Sequence, residues 1–144
     1  MPSTTASTLI PCLSYRDAPG AITWLVNVFG FTPQLVVDGP GDTILHAQLT
    51  FGGGMIMLGS IAKEGDYSKL MVQPDEIGGR QTQTTCLIVE DVDAVYDRAR
   101  DAGAAMVLDI ADMEYGGRAF TCRDPEGHVW SIGSYNPWQE ASHG

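Results

Sequence analysis

The sequence has few cations, no long apolar run and little cysteine. Its 144 residues contain 8 lysines and arginines against 18 aspartates and glutamates, a formal net charge of −10. Proteins that neutralise phosphate need clustered cations, so this balance argues against nucleic acid and anionic membranes as partners. Apolar runs are far shorter than the roughly 20 residues of a membrane-spanning helix. Residues 1–7 lack the charged and apolar regions of a signal peptide.

Cysteine is also scarce. Cys12, Cys86 and Cys122 are far apart, and no two of them form a CxxC motif. This pattern predicts a reduced, cytoplasmic protein with small buried thiols rather than a disulfide framework. Cys12 and Cys86 occupy equivalent positions of an internal repeat (86 − 12 = 74). A nucleophilic thiol stays an alternative there, although no cation lies nearby in the sequence to activate it.

The chain contains two related stretches. Residues 124–135 begin with the turn sequence Asp-Pro-Glu-Gly and continue as an apolar strand. A weaker copy spans 51–60, and aligning Gly127 on Gly54 gives a separation of 127 − 54 = 73 residues. The repeat predicts two copies of one unit.

Each unit is predicted to run strand, helix, strand, strand, strand. Asp17 is a suitable N-cap for the first helix, and Gly30 suits its C-terminal end. The second helix starts at Asp91 and closes at Gly103. The predicted strands are 8–15, 31–37, 43–50, 55–58, 84–89, 104–110, 118–123 and the apolar part of 124–135.

The predicted organisation is one domain over 1–144, with module one at 8–59 and module two at 84–135. The segment 60–83 connects them and lacks a clear period. It carries several apolar side chains, among them Tyr67 and Met71. A long segment of this kind is either functional, for example a lid, or a linker with a few docked side chains.

Four stretches resemble one known family. The chain is similar to the vicinal oxygen chelate superfamily, within it to the glyoxalase/bleomycin resistance group and its PhnB-like members, over about residues 9–138. The resemblance implies an α+β fold in which two βαβββ modules form a curved mixed sheet around a cup-shaped cavity, usually in a homodimer. It implies little about activity, because isomerases, dioxygenases, thiol transferases and metal-free binding proteins share this fold. The stretches are YRDAPGAITWLVNVFGF, FGGGMIMLG, VEDVDAVYDRARDAGA and YGGRAFTCRDPEGHVWSIGSYNPW.

The resemblance also implies where a metal would be held. Members that use a metal place ligands on the first and last strand of each module. The corresponding positions here are predicted to be Ile10, Leu58, Thr84 and Ser131. Apart from a weak hydroxyl, these side chains offer no ligand for a divalent cation. The usual metal site is therefore predicted to be absent, and no cofactor is predicted.

The third strand carries a polar pair. Alternation along the strand places His46 and Gln48 toward the cup, opposite Leu45, Ala47 and Leu49. Two donors are too few for a metal site on their own. Hydrogen bonds from this pair to a ligand or to each other are predicted, with a displaced metal site at His46 as the alternative.

The remaining candidates are weaker. Strand alternation places Cys12, Ser14 and Cys86 on the cup side. Tyr115 and Arg118 follow a turn at the predicted rim, where the arginine either clamps a carboxylate or phosphate or pairs with a surface carboxylate. No catalytic residue is predicted. The predicted ligand-binding residues are Ile10, Cys12, Ser14, His46, Gln48, Leu58, Thr84, Cys86, Ser131, Tyr115 and Arg118.

The leading functional prediction is a metal-free protein that binds a small organic molecule, in the manner that the resemblance to bleomycin resistance proteins implies. An apolar cup with a few hydroxyls and amides suits such a ligand. Two alternatives stay open. One is a metal-dependent glyoxalase-like lyase or dioxygenase-like enzyme with a non-standard site, and the other is an interaction module whose cup is vestigial.

Overall fold

The computed structural model describes residues 6–141. The chain divides into two compact units, the first ending at Arg80 and the second beginning at Gln81. Two short 3-10 helices, Tyr67–Lys69 and Pro74–Ile77, lie in the segment 60–83. The other elements are β1 (Cys12–Tyr15), α1 (Ala18–Phe29), β2 (Thr32–Asp38), β3 (Ile44–Phe51), β4 (Gly54–Ser60), β5 (Thr85–Ile88), α2 (Val92–Asp101), β6 (Ala105–Asp112), β7 (Arg118–Arg123), β8 (Val129–Gly133) and α3 (Pro137–Ala141).

Each unit contains one four-stranded mixed sheet. The strand order is β1-β4-β3-β2 in the first unit and β5-β8-β7-β6 in the second. The first and last strands of each unit pair in parallel, and the other pairs are antiparallel. The prediction of an α+β fold built from two βαβββ modules is confirmed. The placement of β1 at a sheet edge agrees with Pro11, which cannot donate a backbone hydrogen bond.

The two long helices begin at side-chain caps, as predicted. A carboxylate oxygen of Asp17 accepts a hydrogen bond from Gly20 N at 3.1 Å, and Asp91 accepts one from Ala94 N at the same distance. Such caps satisfy backbone donors that the first helical turn leaves unpaired. Gly30 ends α1 with φ at 91°, a left-handed conformation that favours glycine.

The core of the first unit follows strand alternation. Leu49 on β3 and both Ile56 and Leu58 on β4 are buried, as are Leu25 and Phe29 on α1. Each such side chain contributes about 1.5–3 kcal/mol when it is removed from water. We call the opposite side of this sheet, and its counterpart in the second unit, the open face.

In the second unit α2 packs on the sheet over an aromatic core. Trp130 and Phe120 are almost completely buried. The ring of Tyr96 on α2 meets Phe120 edge to face, with centroids 5.2 Å apart. An aromatic pair in this arrangement adds about 0.5–1.5 kcal/mol beyond its buried area.

A buried carboxylate organises the turn before β8. Asp124 accepts hydrogen bonds from Glu126 N at 3.0 Å, from His128 N at 3.1 Å and from the indole Nε1 of Trp130 at 3.1 Å. A buried carboxylate is tolerated when several donors satisfy its oxygens. The Asp-Pro-Glu-Gly turn is thus tied directly to the core tryptophan.

The segment 60–83 is more ordered than its sequence pattern predicts. Ile61 N donates to the carbonyl of Tyr15 at 3.0 Å, and Gln73 Nε2 donates to the carbonyl of Ser14, also at 3.0 Å. Both acceptors lie on β1. Because alternate carbonyls of a strand point to opposite sides, the Tyr15 bond continues the β1–β4 ladder, and the Ser14 bond places Gln73 at the outer edge of the sheet.

Two local predictions were wrong. The strand predicted to begin at residue 8 begins at Cys12. Leu45, predicted to share the core face with Leu49, has two-thirds of its side chain exposed (67%). The pairing of β2 with β3 passes over Leu45, because Val37 pairs with His46 and the next residue of β2, Asp38, pairs with Ile44. This bulge reverses the alternation at the start of β3.

Within residues 6–141, no helix is long and apolar enough to cross a membrane.

Candidate functional site

The open face of the first sheet carries a row of polarizable and polar side chains. In the strand register Cys12 on β1 and Gln48 on β3 both lie opposite Met57 on β4. Ser14 follows two residues after Cys12 and has the same orientation. Of the side chains predicted to face this way, Cys12, Ser14 and Gln48 lie together as expected. Met57 was missed.

A chain of hydrogen bonds crosses this face. His46 Nε2 lies 2.8 Å from Gln48 Oε1, and Gln48 Nε2 donates to Gln34 Oε1 at 2.7 Å. Because the Gln48 oxygen accepts, Nε2 of His46 carries the proton and Nδ1 of the neutral ring is an acceptor. The predicted hydrogen bond between His46 and Gln48 is confirmed. Gln34 was missed because the register of β2 shifts between Pro33 and Leu35.

The open face of the second sheet carries hydroxyls. Ser131 on β8 lies opposite both Cys86 on β5 and Thr121 on β7. The hydroxyl oxygens of Thr121 and Ser131 are 3.1 Å apart, within hydrogen-bonding distance. Partial burial raises the pKa of the Cys86 thiol, which disfavours the reactive thiolate. Cys86 and Ser131 lie side by side as predicted, and Thr121 was missed. The prediction of buried thiols was wrong for Cys12 and Cys86, which are exposed, and is confirmed for Cys122.

The prediction for Leu58 was wrong. Its side chain is buried on the face toward α1, opposite Leu13 in the β1–β4 register. The open-face position of β4 is Met57, because 131 − 57 = 74 equals the separation of Cys12 from Cys86 (86 − 12 = 74). The prediction counted from the turn glycines, whose separation is one residue shorter.

Different hairpins explain that error. In the first unit Phe51 pairs with Gly54, so a two-residue loop joins β3 to β4. In the second unit Arg123 pairs with Val129, and five residues lie between them. Counting residues from a turn therefore fails to give the same face in both units.

Ile10 and Thr84 lie just before β1 and β5. Both are exposed, and Ile10 is two residues from Cys12 with its carbonyl 3.7 Å from the Cys12 sulfur. Thr84 bears the same relation in sequence to Cys86. Neither residue is held by a strand pairing, so each lies at the end of an open face rather than within it.

Arg118 forms surface ion pairs. Its guanidinium donates to Asp112 at 3.0 Å and to Asp93 at 3.2 Å, and these hydrogen bonds raise its pKa. This arrangement matches the alternative in which Arg118 pairs with surface carboxylates. Tyr115 is exposed, and its ring meets that of Tyr135 edge to face at 5.1 Å.

Comparison with known proteins decides the family. Residues 8–132 match the model of the Glyoxalase/Bleomycin resistance protein/Dioxygenase superfamily. The chain belongs to this superfamily. The uncharacterized protein Rv0887c of Mycobacterium tuberculosis is 37% identical over 125 residues, which cover 87% of this chain and 72% of Rv0887c.

Solved structures of this superfamily's fold are also similar. TioX from Micromonospora sp. ML1 has 33% sequence identity and a TM-score of 0.69, covering 91% of this chain and 100% of TioX. The fosfomycin resistance protein FosX from Listeria monocytogenes has a TM-score of 0.63 over 95% of this chain and 98% of FosX. Its 12% identity shows a common fold alone.

The donor set does not fit the divalent metal of metal-using superfamily members. With the register corrected, the four positions hold Ile10, Met57, Thr84 and Ser131: an alkyl group, a thioether and two hydroxyls. Divalent cations are held in proteins by imidazole, carboxylate or thiolate groups. Among residues 6–141, no three His, Cys, Asp or Glu side chains are grouped as metal ligands would be.

Proposed function

We propose that this superfamily member binds a small organic molecule non-covalently on its open faces, without a metal. The observation that carries the proposal is the chemistry of these faces, which present uncharged hydroxyl, amide, thiol and thioether groups. Small-molecule sites are mostly apolar with a few placed polar groups, which this composition matches. Cys12, Met57 and Gln48 represent it in the first unit, and Ser131 with Thr121 in the second.

The first open face supplies the more specific recognition. Gln48 holds His46 Nε2, which leaves Nδ1 as an acceptor for a hydroxyl, amide or ammonium group of a ligand. The thioether of Met57 beside it is polarizable and adapts its shape to flat rings. Together these groups support an amphipathic organic ligand with at least one hydrogen-bond donor.

Antibiotics are one ligand class within this proposal. The superfamily name includes bleomycin resistance, and a fosfomycin resistance protein shares the fold. Sequestration by non-covalent binding requires no reacting group on the protein. We extend the proposal to a PhnB-like, cytoplasmic protein, as the sequence predicts.

We also propose a homodimer. β2 is a sheet-edge strand exposed along its whole length, and Leu35, Val36 and Val37 on it are all about 40% exposed. Exposed apolar edge strands of this length are usually covered by a partner. Analytical ultracentrifugation showing only monomers at micromolar concentration would remove this part of the proposal.

The binding test uses bleomycin and the dye anilinonaphthalene sulfonate as probes in calorimetry and thermal-shift assays. Saturating ligand is expected to raise the melting temperature by mass action. Met57→Trp fills the first open face and Ser131→Trp fills the second, and each is expected to weaken binding at the face that it fills at least tenfold. Asn27→Trp, on the exposed side of α1, is the matched control and leaves affinity unchanged.

Two outcomes would overturn the proposal. Incubation with nickel, zinc, manganese or iron should leave no stoichiometric metal after desalting, in wild type and in His46→Ala alike. One tightly held metal per chain would instead favour an enzyme with a displaced site. Absence of any thermal shift across a broad panel of aromatic antibiotics and metabolites would favour an interaction module.

A further inference from the structure

A cavity lies within the first unit, between the end of β1 and the segment 61–76. Its volume is about 200 Å³. An apolar protein cavity of about 150 Å³ is large enough to bind benzene. This cavity therefore has room for one ring with a small substituent. Of the open-face positions described above, Ser14 alone lines it.

One side of the cavity is apolar and open to solvent. Tyr67, Met71 and Val72 line it, and their side chains are 57%, 39% and 54% exposed. A ligand ring placed against Tyr67 would gain an aromatic pair, and the Met71 sulfur favours contact with aromatic rings. Exposure of three such side chains around one cavity is readily explained by a ligand that covers them.

The other side is polar and fixed. Gln73 is 4% exposed, and its Nε2 donates to the Ser14 carbonyl at 3.0 Å. Its backbone N donates to a Glu76 carboxylate oxygen at 2.6 Å, and its side chain accepts from Glu76 N. This reciprocal cap holds the polar wall in one geometry, so little ordering is needed on binding.

Charge restricts the ligand further. Arg16, the cation of this lining, makes two hydrogen bonds to Asp75, at 2.8 and 2.9 Å. These bonds hold the pKa of Asp75 below its usual range and leave the guanidinium already paired. Glu76 adds a negative charge, and the chain carries a net charge of −10. An anionic ligand is therefore disfavoured.

We propose that this cavity is a second binding site, for a single aromatic ring that carries a neutral or cationic hydrogen-bonding substituent. The site is built from the first unit alone and does not rest on ligand binding at the open faces. Because so small a ligand buries little surface, a dissociation constant of roughly a millimolar is expected.

The test is an amide NMR titration of the full chain with phenol, benzamidine and benzoate. Phenol and benzamidine are expected to shift the signals of Ser14, Gln73 and the residues 67–72, and benzoate to bind several-fold more weakly. Tyr67→Ala should weaken phenol binding roughly three- to tenfold. Leu70→Ala is the matched control, since Leu70 is equally apolar, 77% exposed, in the same segment and outside the cavity lining.

Three results would overturn the inference: no shifts at these residues up to the solubility limit of the probes, equal effects of Tyr67→Ala and Leu70→Ala, or strongest binding by benzoate. Met71→Ala repeats the test if Tyr67→Ala fails to fold. Ser131→Trp should leave phenol binding unchanged. A failure of this inference is thus distinguishable from a failure of the open-face proposal.

Discussion

The two units have the same topology and bury equivalent helix-facing positions, yet their open faces differ. Buried Leu49 in the first unit corresponds to Cys122 in the second, and Ile56 to Trp130. On the open side, the first sheet has an imidazole–amide chain and a thioether where the second has two hydroxyls. The buried positions that repeat between the units specify the fold. The open faces, which differ between the units, hold the groups suited to ligand recognition.

A pair of glycines shows how closely the scaffold repeats. Gly59 and Gly133 are 133 − 59 = 74 residues apart, each near the end of the last strand of its unit. A Cβ at Gly59 would lie 3.0 Å from the carbonyl oxygen of Leu45, and one at Gly133 would lie 3.2 Å from the Cβ of Ala119. Both positions require a close approach of neighbouring strands.

The largest expected effects are losses of stability when a large side chain is removed from the core of either unit. Trp130→Ala should lower the free energy of unfolding by about 4 kcal/mol, and Ile56→Ala by about 3 kcal/mol, because each leaves a cavity in a packed core. Chemical denaturation measures both. Trp24→Ala is the control, because it also removes an indole ring but from a half-buried position on α1. If Trp130→Ala lowers the free energy of unfolding no more than Trp24→Ala does, the expected role of Trp130 in the core is contradicted.

A smaller effect is expected at the paired glycines. Gly59→Ala should cost about 2 kcal/mol, since the added methyl group meets backbone oxygens that cannot move aside. Gly133→Ala should cost less, because the methyl group of Ala119 is its nearest neighbour. Gly54→Ala, whose Cβ would lie 3.4 Å from the Phe51 carbonyl, is the control. Equal melting temperatures for all three variants would show that the strands adjust freely.

The smallest effect concerns pH. Burial raises the pKa of Cys122 from 9.0 to about 12, whereas the first unit has Leu49 at that position. Above about pH 9 the unfolded thiol releases its proton and the folded one retains it, so stability falls as pH rises. From about pH 8 to about pH 10, wild type should lose roughly 1 kcal/mol more than Cys122→Ala.

The control for that measurement is Cys12→Ala, because Cys12 is exposed. Its stability should follow the wild-type pH profile. Identical profiles for all three proteins would mean that Cys122 is less buried than the structure shows.

Much of the fold was predictable from local signals. Asp17 and Asp91 begin the helices as their capping chemistry predicts. The repeat predicted two modules, and strand alternation placed His46 and Gln48 on one face. These features depend on residues close in sequence or on a period that the sequence shows directly.

The remaining features depend on pairing between distant residues. The bulge at Leu45 and the unequal hairpins change which side chain faces outward, and neither has a strong sequence signal. The hydrogen bond from Gln73 to Ser14 joins residues 59 apart. Both residues line the cavity, so its lining could not be assembled from the sequence pattern.

The segment 60–83 also influences how this chain can associate with others. The Ser14 carbonyl on the outer edge of β1 already accepts a hydrogen bond from Gln73. A foreign strand would have to displace that donor before it could extend the sheet there. Aggregation or fibre growth from the first unit is therefore directed away from this border, toward the uncovered strand at the far side of the sheet.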